Sequence, residues 1–181
     1  FYLEVIRGIS QYCNSHHYIN TVITGKDEEE ILQAVRSMMK KGQADGFILL
    51  YSRQDDPVTA FLSQEKQLYV LVGKACQNAN QTIYVDNDNI LAGKDAAQYL
   101  MDLGHRKIGC ILPSGNPLFA ADRKSGYLLA LAEKGLPLRP DYCVELQPYA
   151  SGWEAPLTAL LNQKDPPTAL VVCDDILAMA L

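Results

Sequence analysis

Two acids stand two residues apart in Tyr84-Val85-Asp86-Asn87-Asp88-Asn89, and an arginine follows in Asp122-Arg123-Lys124-Ser125-Gly126-Tyr127. Carboxylates accept hydrogen bonds and a guanidinium donates them in a rigid fork, so the set suits a polar, hydroxyl-bearing small molecule. Asp86 and Asp88 could instead be paired carboxylates for acid/base chemistry, or turn and cap residues, because a helical pattern starts at Asn89. Arg123 reads as one residue into a helix over 122–134, near the positive end of the dipole, where a cation gains nothing from the backbone. Its guanidinium therefore needs a carboxylate or a ligand hydroxyl as partner. Asp174-Asp175 again joins a strand end to a helix start, so one acid caps the helix and the other could point into the same crevice. Phe1 and Tyr2 open the first helix and offer aromatic faces on which a sugar could stack; core packing is the other reading of Phe1.

The groups that catalysis needs do not accompany these residues. The sequence holds no G-x-x-x-x-G-K-[ST], no G-x-G-x-x-G and no G-x-S-x-G. Its histidines are His16, His17 and His105. Adjacent histidines on a helix diverge by roughly 100°, unlike an i, i+4 metal pair. His105 follows Gly104 and reads as a local hydrogen-bonding residue at a helix exit. The five cysteines, at 13, 76, 110, 143 and 173, form no C-x-x-C pair and read as small apolar thiols in a reducing cytosol. No metal or cofactor is expected. The net charge of −5, with no basic stripe longer than His105-Arg106-Lys107, argues against a surface that grips nucleic acid. No apolar run reaches the roughly 18 residues of a membrane span.

The elements that must hold the acids and the arginine alternate along the chain. Helical spacing covers 1–16, and the β-branched run Tyr18–Thr24 reads as a strand. A helix follows with Asp27-Glu28-Glu29-Glu30 as acids in its first turn and Lys40-Lys41-Gly42 at its end. Asp45–Tyr51 and Leu68–Gly73 are continuous apolar strands of the kind buried on both faces of a parallel sheet, separated by a helix that starts at Pro57. Thr82–Val85 is a short strand, and Asn89–Leu103 a helix stopped by Gly104. Ile108–Leu112, 141–146 and Ala169–Cys173 are further strands, with helices over 122–134 and 151–162 and a last one from Asp174-Asp175. Such alternation predicts an α/β protein with parallel sheets and right-handed crossovers. A strand is expected before the first helix, and the last helix is short, so the chain reads as a piece of a longer protein.

The order and spacing of these segments resemble the effector-binding core of the LacI/GalR family of transcriptional repressors. The resemblance rests on Phe1-Tyr2-Leu3-Glu4-Val5-Ile6-Arg7-Gly8-Ile9, Ala44-Asp45-Gly46-Phe47-Ile48-Leu49, Val85-Asp86-Asn87-Asp88-Asn89 with Ala92-Gly93, Leu103-Gly104-His105-Arg106-Lys107-Ile108, Asp122-Arg123 with Gly126-Tyr127, and Thr168-Ala169-Leu170 leading to Asp174-Asp175. Leu50-Tyr51-Ser52, Gly73-Lys74 and Thr82–Asn89 are most similar to the maltose-operon repressors of Gram-positive bacteria. The resemblance implies two Rossmann-like subdomains of the periplasmic-binding-protein type I fold, divided into residues 1–106 and 107–181. The headpiece, the hinge helix, the first strand and the C-terminal strands would lie outside this sequence. It also implies a sugar effector in the cleft, with contacts on Phe1, Tyr2, Tyr51, Ser52, Asp86, Asp88, Arg123 and Asp174. A cytoplasmic homodimer that binds operator DNA through a separate helix-turn-helix would follow. A sugar-binding protein of a transport system with the same plan, or a doubly wound enzyme, are the alternatives at this point.

Overall fold

The computed structural model describes residues 2–76, 80–115 and 117–181, and its helices and strands alternate into two parallel three-stranded sheets. Helices α1 (Tyr2–Ser15) and α2 (Glu28–Lys40) precede β1 (Phe47–Leu49), and α3 (Pro57–Gln64) leads to β2 (Tyr69–Val72) and β3 (Ile83–Val85). The first sheet has the order β1-β2-β3, with Ile48 opposite Val70 and Leu71 opposite Tyr84. The second unit contains α4 (Asn89–Asp102), β4 (Ile108–Pro113), α5 (Leu118–Glu133), β5 (Cys143–Leu146), α6 (Ala155–Leu161), β6 (Ala169–Val172) and α7 (Asp175–Ala180), with a turn of 3₁₀ helix at Pro140–Tyr142. Its sheet order is β5-β4-β6.

Local chemistry explains where the first unit's helices begin. Asp27 Oδ1 accepts the Glu30 N–H at 2.9 Å, and Glu28, Glu29 and Glu30 place negative charge at the positive end of α2. Asp56 caps α3 with both carboxylate oxygens, taking the amides of Val58 at 3.1 Å and Thr59 at 3.2 Å, just ahead of Pro57 in the first turn. Leu32 and Val35 of α2 and Val58 and Leu62 of α3 then meet Phe47, Leu49 and Leu71 of the sheet. Each such side chain, fully buried, contributes about 1.5–3 kcal/mol.

The second sheet is covered on both faces. Ile108, Cys110 and Leu112 of β4 face Ala97 and Met101 of α4 and Tyr127, Ala130 and Leu131 of α5. Ile111, on the opposite face, packs with Leu160 of α6 and Leu177 of α7. The Tyr127 hydroxyl donates to Ile108 O at 2.7 Å, so its polar end is satisfied inside the core.

Helix α4 is held to α5 by two glycines. A Cβ on Gly93 would lie 2.0 Å from Arg123 O, and one on Gly126 would lie 1.9 Å from Ile90 O. Backbone therefore touches backbone where the helices cross, and the first turn of α4 is fixed against the second turn of α5.

The structure departs from the sequence reading in three places. Residues 18–24 form no strand, and Ile19 is 93% exposed. A groove of about 480 Å³ lies between this segment, α1 and β1, lined by Ile6, Ile9, Val22, Ile23 and Phe47 among others, so the β-branched run has no adjacent strand to pair with. The first sheet is not buried on both faces: β1 alternates, and Ile48 is 45% exposed. Helix α5 starts at Leu118 rather than Asp122, because Pro117 fixes the backbone at its cap and Leu118-Phe119-Ala120-Ala121 continue the helix. Arg123 is thus in the second turn, and the argument from the helix terminus does not apply to it. Helix α4 packs into the core of β4, β6 and α5.

Candidate functional site

The polar residues gather at the carboxyl ends of the strands, where open parallel sheets bind ligands. Asp86 follows β3 directly. Its Oδ1 accepts the Asn87 amide at 2.9 Å and the Asn89 Nδ2 at 3.0 Å. Asp88 does the capping work: its Oδ1 takes the Leu91 N–H at 2.9 Å and starts α4. The ambiguity between the two acids is thereby resolved in geometry, with Asp88 committed to the helix and Asp86 to a side-chain network.

Asn89 carries that network into the second unit. It is 3% exposed, and its Oδ1 accepts the Arg123 Nε–H at 2.9 Å. Arg123 also donates from Nη1 to the Cys173 carbonyl at the end of β6, and its guanidinium carbon lies 5.0 Å from the centre of the Phe119 ring. Asp174 is the next residue after Cys173 and caps α7 through the Leu177 amide at 2.6 Å. Asp86, Arg123 and the start of α7 therefore belong to one connected cluster.

The first unit approaches the cluster from the loops after β1 and β2. The Ser52 hydroxyl donates to Lys74 O, across a close approach in which a Cβ on Gly73 would come within 2.8 Å of Ser52 Cβ. Gly73 has φ +124°, a backbone conformation open to glycine. Lys74 Nζ lies 2.9 and 3.0 Å from the two oxygens of Asp122, the residue before Arg123. That pairing, chiefly its hydrogen bond, raises the Lys74 ammonium above its ordinary value. Arg53 also forms an antiparallel backbone bridge with Pro117 at the start of α5.

The Tyr51 hydroxyl is buried and, among the described residues, makes no well-formed hydrogen bond. Burial first, then the negative charge of Asp56 and Glu28, pushes its phenol up to about 12. Asp56 bears on it through its charge and through a weak hydrogen-bonding contact, although both Asp56 oxygens already serve α3 and no well-formed hydrogen bond reaches the hydroxyl. A buried hydroxyl so weakly paired is costly, and a ligand hydroxyl would relieve it.

Tyr2 opens α1 and is half-exposed; Phe1 lies outside the described residues. Asn89, Lys74 and Asp122 are members that the sequence did not single out as site residues. An Asn at a helix start reads as a cap, and the Lys74–Asp122 pair spans 48 positions, so local pattern carried no signal for either.

The sequence matches, over residues 1–180, the family described as periplasmic binding proteins and sugar binding domain of LacI family. Among curated proteins it is 37% identical over 131 residues to the HTH-type transcriptional regulator MalR of Streptococcus pneumoniae, covering 72% of this chain and 39% of that protein. A Staphylococcus structure described as a probable maltose operon transcriptional repressor malR shares 26% identity with a TM-score of 0.87, covering 99% of this chain and 64% of that one. The CelR–cellobiose complex shares 26% identity with a TM-score of 0.84, covering 94% and 52%. The chain thus spans about half, or less, of the length of the curated relatives it matches. Parallel α/β units, polar loops at the strand ends and a match over nearly every residue converge: the chain belongs to the LacI family, in its periplasmic-binding-protein-like effector domain.

Proposed function

We propose that this chain is the sugar-sensing part of a LacI-family repressor, and that its ligand is maltose or a maltooligosaccharide. The observation that carries the reading is Arg123, whose Nε and Nη1 are anchored by Asn89 and Cys173 O. Among the described residues no hydrogen bond engages its Nη2, which is left to donate to a sugar hydroxyl. Asp86 on one side, Asp174 on the other, and Tyr51 and Ser52 from the first unit complete the set, with Asp88 and Tyr2 at its margin. Acceptors and donors mixed around an aromatic suit a polyol, and the likeness to a probable maltose operon repressor supports maltose as the first ligand to try.

The boundary between the two units falls, in this reading, between β3 and α4, because α4 packs with the second core. The sugar would then bridge units whose loops already meet at Lys74–Asp122 and Arg53–Pro117. A ligand that favours one relative orientation shifts the population of a cytoplasmic homodimer, and with it the affinity for operator DNA bound by a separate helix-turn-helix.

Calorimetric titration of maltose, maltotriose, cellobiose and ribose into the intact regulator tests the reading. Maltose or maltotriose should bind more tightly than the other two, and Arg123→Ala should weaken that binding by about 10- to 100-fold, the loss of a charged hydrogen bond. Absence of heat with both glucose oligomers, or an Arg123→Ala variant of undiminished affinity, would overturn it.

A further inference from the structure

Asn89 is the buried polar side chain through which Asp86 and Arg123 communicate. Its Nδ2 donates to Asp86 Oδ1 at 3.0 Å and to Asn87 O at 3.3 Å, while its Oδ1 accepts from Arg123 Nε at 2.9 Å. A primary amide does both tasks at once from its two ends. A carboxylate needs a donor and a guanidinium needs an acceptor, and the two ends of one amide supply them in opposite directions. The orientation of the amide is therefore fixed by its neighbours. The first turn of α4, which carries Asn89, is itself locked to α5 by the backbone contacts at Gly93 and Gly126. The guanidinium plane is set on two further sides by Cys173 O and the Phe119 ring.

We infer that Asn89 is a positioning residue, which sets the Arg123 guanidinium and the Asp86 carboxylate relative to each other and so fixes the spacing of donor and acceptor presented to a ligand. The inference rests on the proposed sugar site for its consequence, not for its geometry. Asn89 does not itself donate outward: both ends of its amide are used within the protein. It acts on specificity by holding the arginine in one place rather than by contact.

The test separates the two levels. In the intact regulator, the Arg123 Nε–H, hydrogen-bonded to Asn89 Oδ1, gives a slowly exchanging proton–nitrogen NMR signal, assigned by its loss in Arg123→Lys. Asn89→Leu removes both ends of the amide at similar volume and should abolish that signal, with a drop of about tenfold or more in maltose affinity. Asn89→Asp keeps an acceptor for Arg123 but sets a carboxylate against Asp86. It should restore the signal without restoring full affinity. An Arg123 signal unchanged in Asn89→Leu overturns the positioning role. Should Asn89→Leu fail to fold, loss of the signal in Asn89→Asp, which still offers the acceptor, overturns it. A lost signal with undiminished maltose affinity upholds the role of Asn89 and removes Arg123 from the sugar site, which is the separate reading above.

Discussion

Lys74 Nζ reaches both carboxylate oxygens of Asp122, at 2.9 and 3.0 Å, and in doing so ties the loop after β2 to the helix that carries Arg123. Both side chains are partly exposed, so the pair contributes less than about 1 kcal/mol to folding. Its importance is positional, since it joins two units with separate cores. Lys74→Met should leave thermal stability nearly unchanged while altering the separation of the units, read as a change in radius of gyration by X-ray scattering with and without maltose. The raised ammonium pKa fixes the sign of the pH effect. The contribution is fully present below about 10.5, the unfolded value, and is lost as pH rises through the higher folded value. A scattering profile identical to that of the unsubstituted protein in both conditions would show that the pair does not set the arrangement.

Gly93 and Gly126 make a second prediction, about packing. A Cβ at either position would sit about 2 Å from a backbone carbonyl oxygen of the facing helix, 2.0 Å at Gly93 and 1.9 Å at Gly126. Neither oxygen belongs to a flexible side chain, so α4 and α5 must separate. Gly126→Ala should destabilise by about 1–3 kcal/mol or more, as overpacking does, in spite of the helix propensity that alanine adds. Chemical denaturation measures it. Equal or greater stability would mean that the helices can slide apart freely, and the anchoring of Arg123 by Asn89 would lose its support.

Much of the architecture was legible in the sequence because strong local signals marked it. Gly104 after Leu103, the acids Asp27-Glu28-Glu29-Glu30 and Pro57 each mark a helix end by their own chemistry. What was illegible depended on partners. The run Tyr18–Thr24 has strand residues but no strand beside it, and β propensity expresses a fit to neighbours rather than a property of the backbone. The start of α5 was misplaced because Pro117-Leu118-Phe119 carries no side-chain cap. The acids of the site were visible as acids, yet the division of labour between Asp86 and Asp88 needed coordinates. Asn89 looked like a cap and is a bridge. Tertiary pairing, not periodicity, made that distinction.

Tyr51 offers a prediction in which stability and binding move apart. Its hydroxyl is buried and makes no well-formed hydrogen bond among the described residues, so Tyr51→Phe should keep or slightly raise stability near neutral pH. The difference should widen in alkali. A phenol raised to about 12 in the folded protein and near 10 when unfolded favours unfolding as pH rises above 10, because the unfolded chain releases its proton first. Tyr51→Phe removes that effect. If the hydroxyl meets the sugar, the same substitution lowers maltose affinity by about threefold to tenfold, the measured range for one neutral hydrogen bond. Thermal shifts at pH 7 and 10.5, with and without maltose, separate the two effects. Marked destabilisation at pH 7 would show that the hydroxyl has a protein partner after all.

The two acids of Tyr84–Asn89 should behave as opposites. Asp88 Oδ1 holds the Leu91 amide and starts α4, so Asp88→Ala should cost about 1 kcal/mol of stability, the usual loss of a helix cap, and leave maltose affinity within about twofold. Asp86 starts no helix. Its Oδ1 is shared between the Asn87 amide and Asn89, and through Asn89 it bears on Arg123. Asp86→Ala removes a carboxylate from the proposed sugar site and also frees the Asn89 amide to turn, so affinity should fall by about tenfold or more. Asp86→Asn retains an acceptor oxygen for Asn89 and should recover part of that loss, because the hydrogen bond survives while the charge does not. A titration series in which Asp88→Ala weakens maltose binding more than Asp86→Ala would reverse the assignment, placing the ligand at the helix start and leaving Asp86 as the residue that shapes the turn.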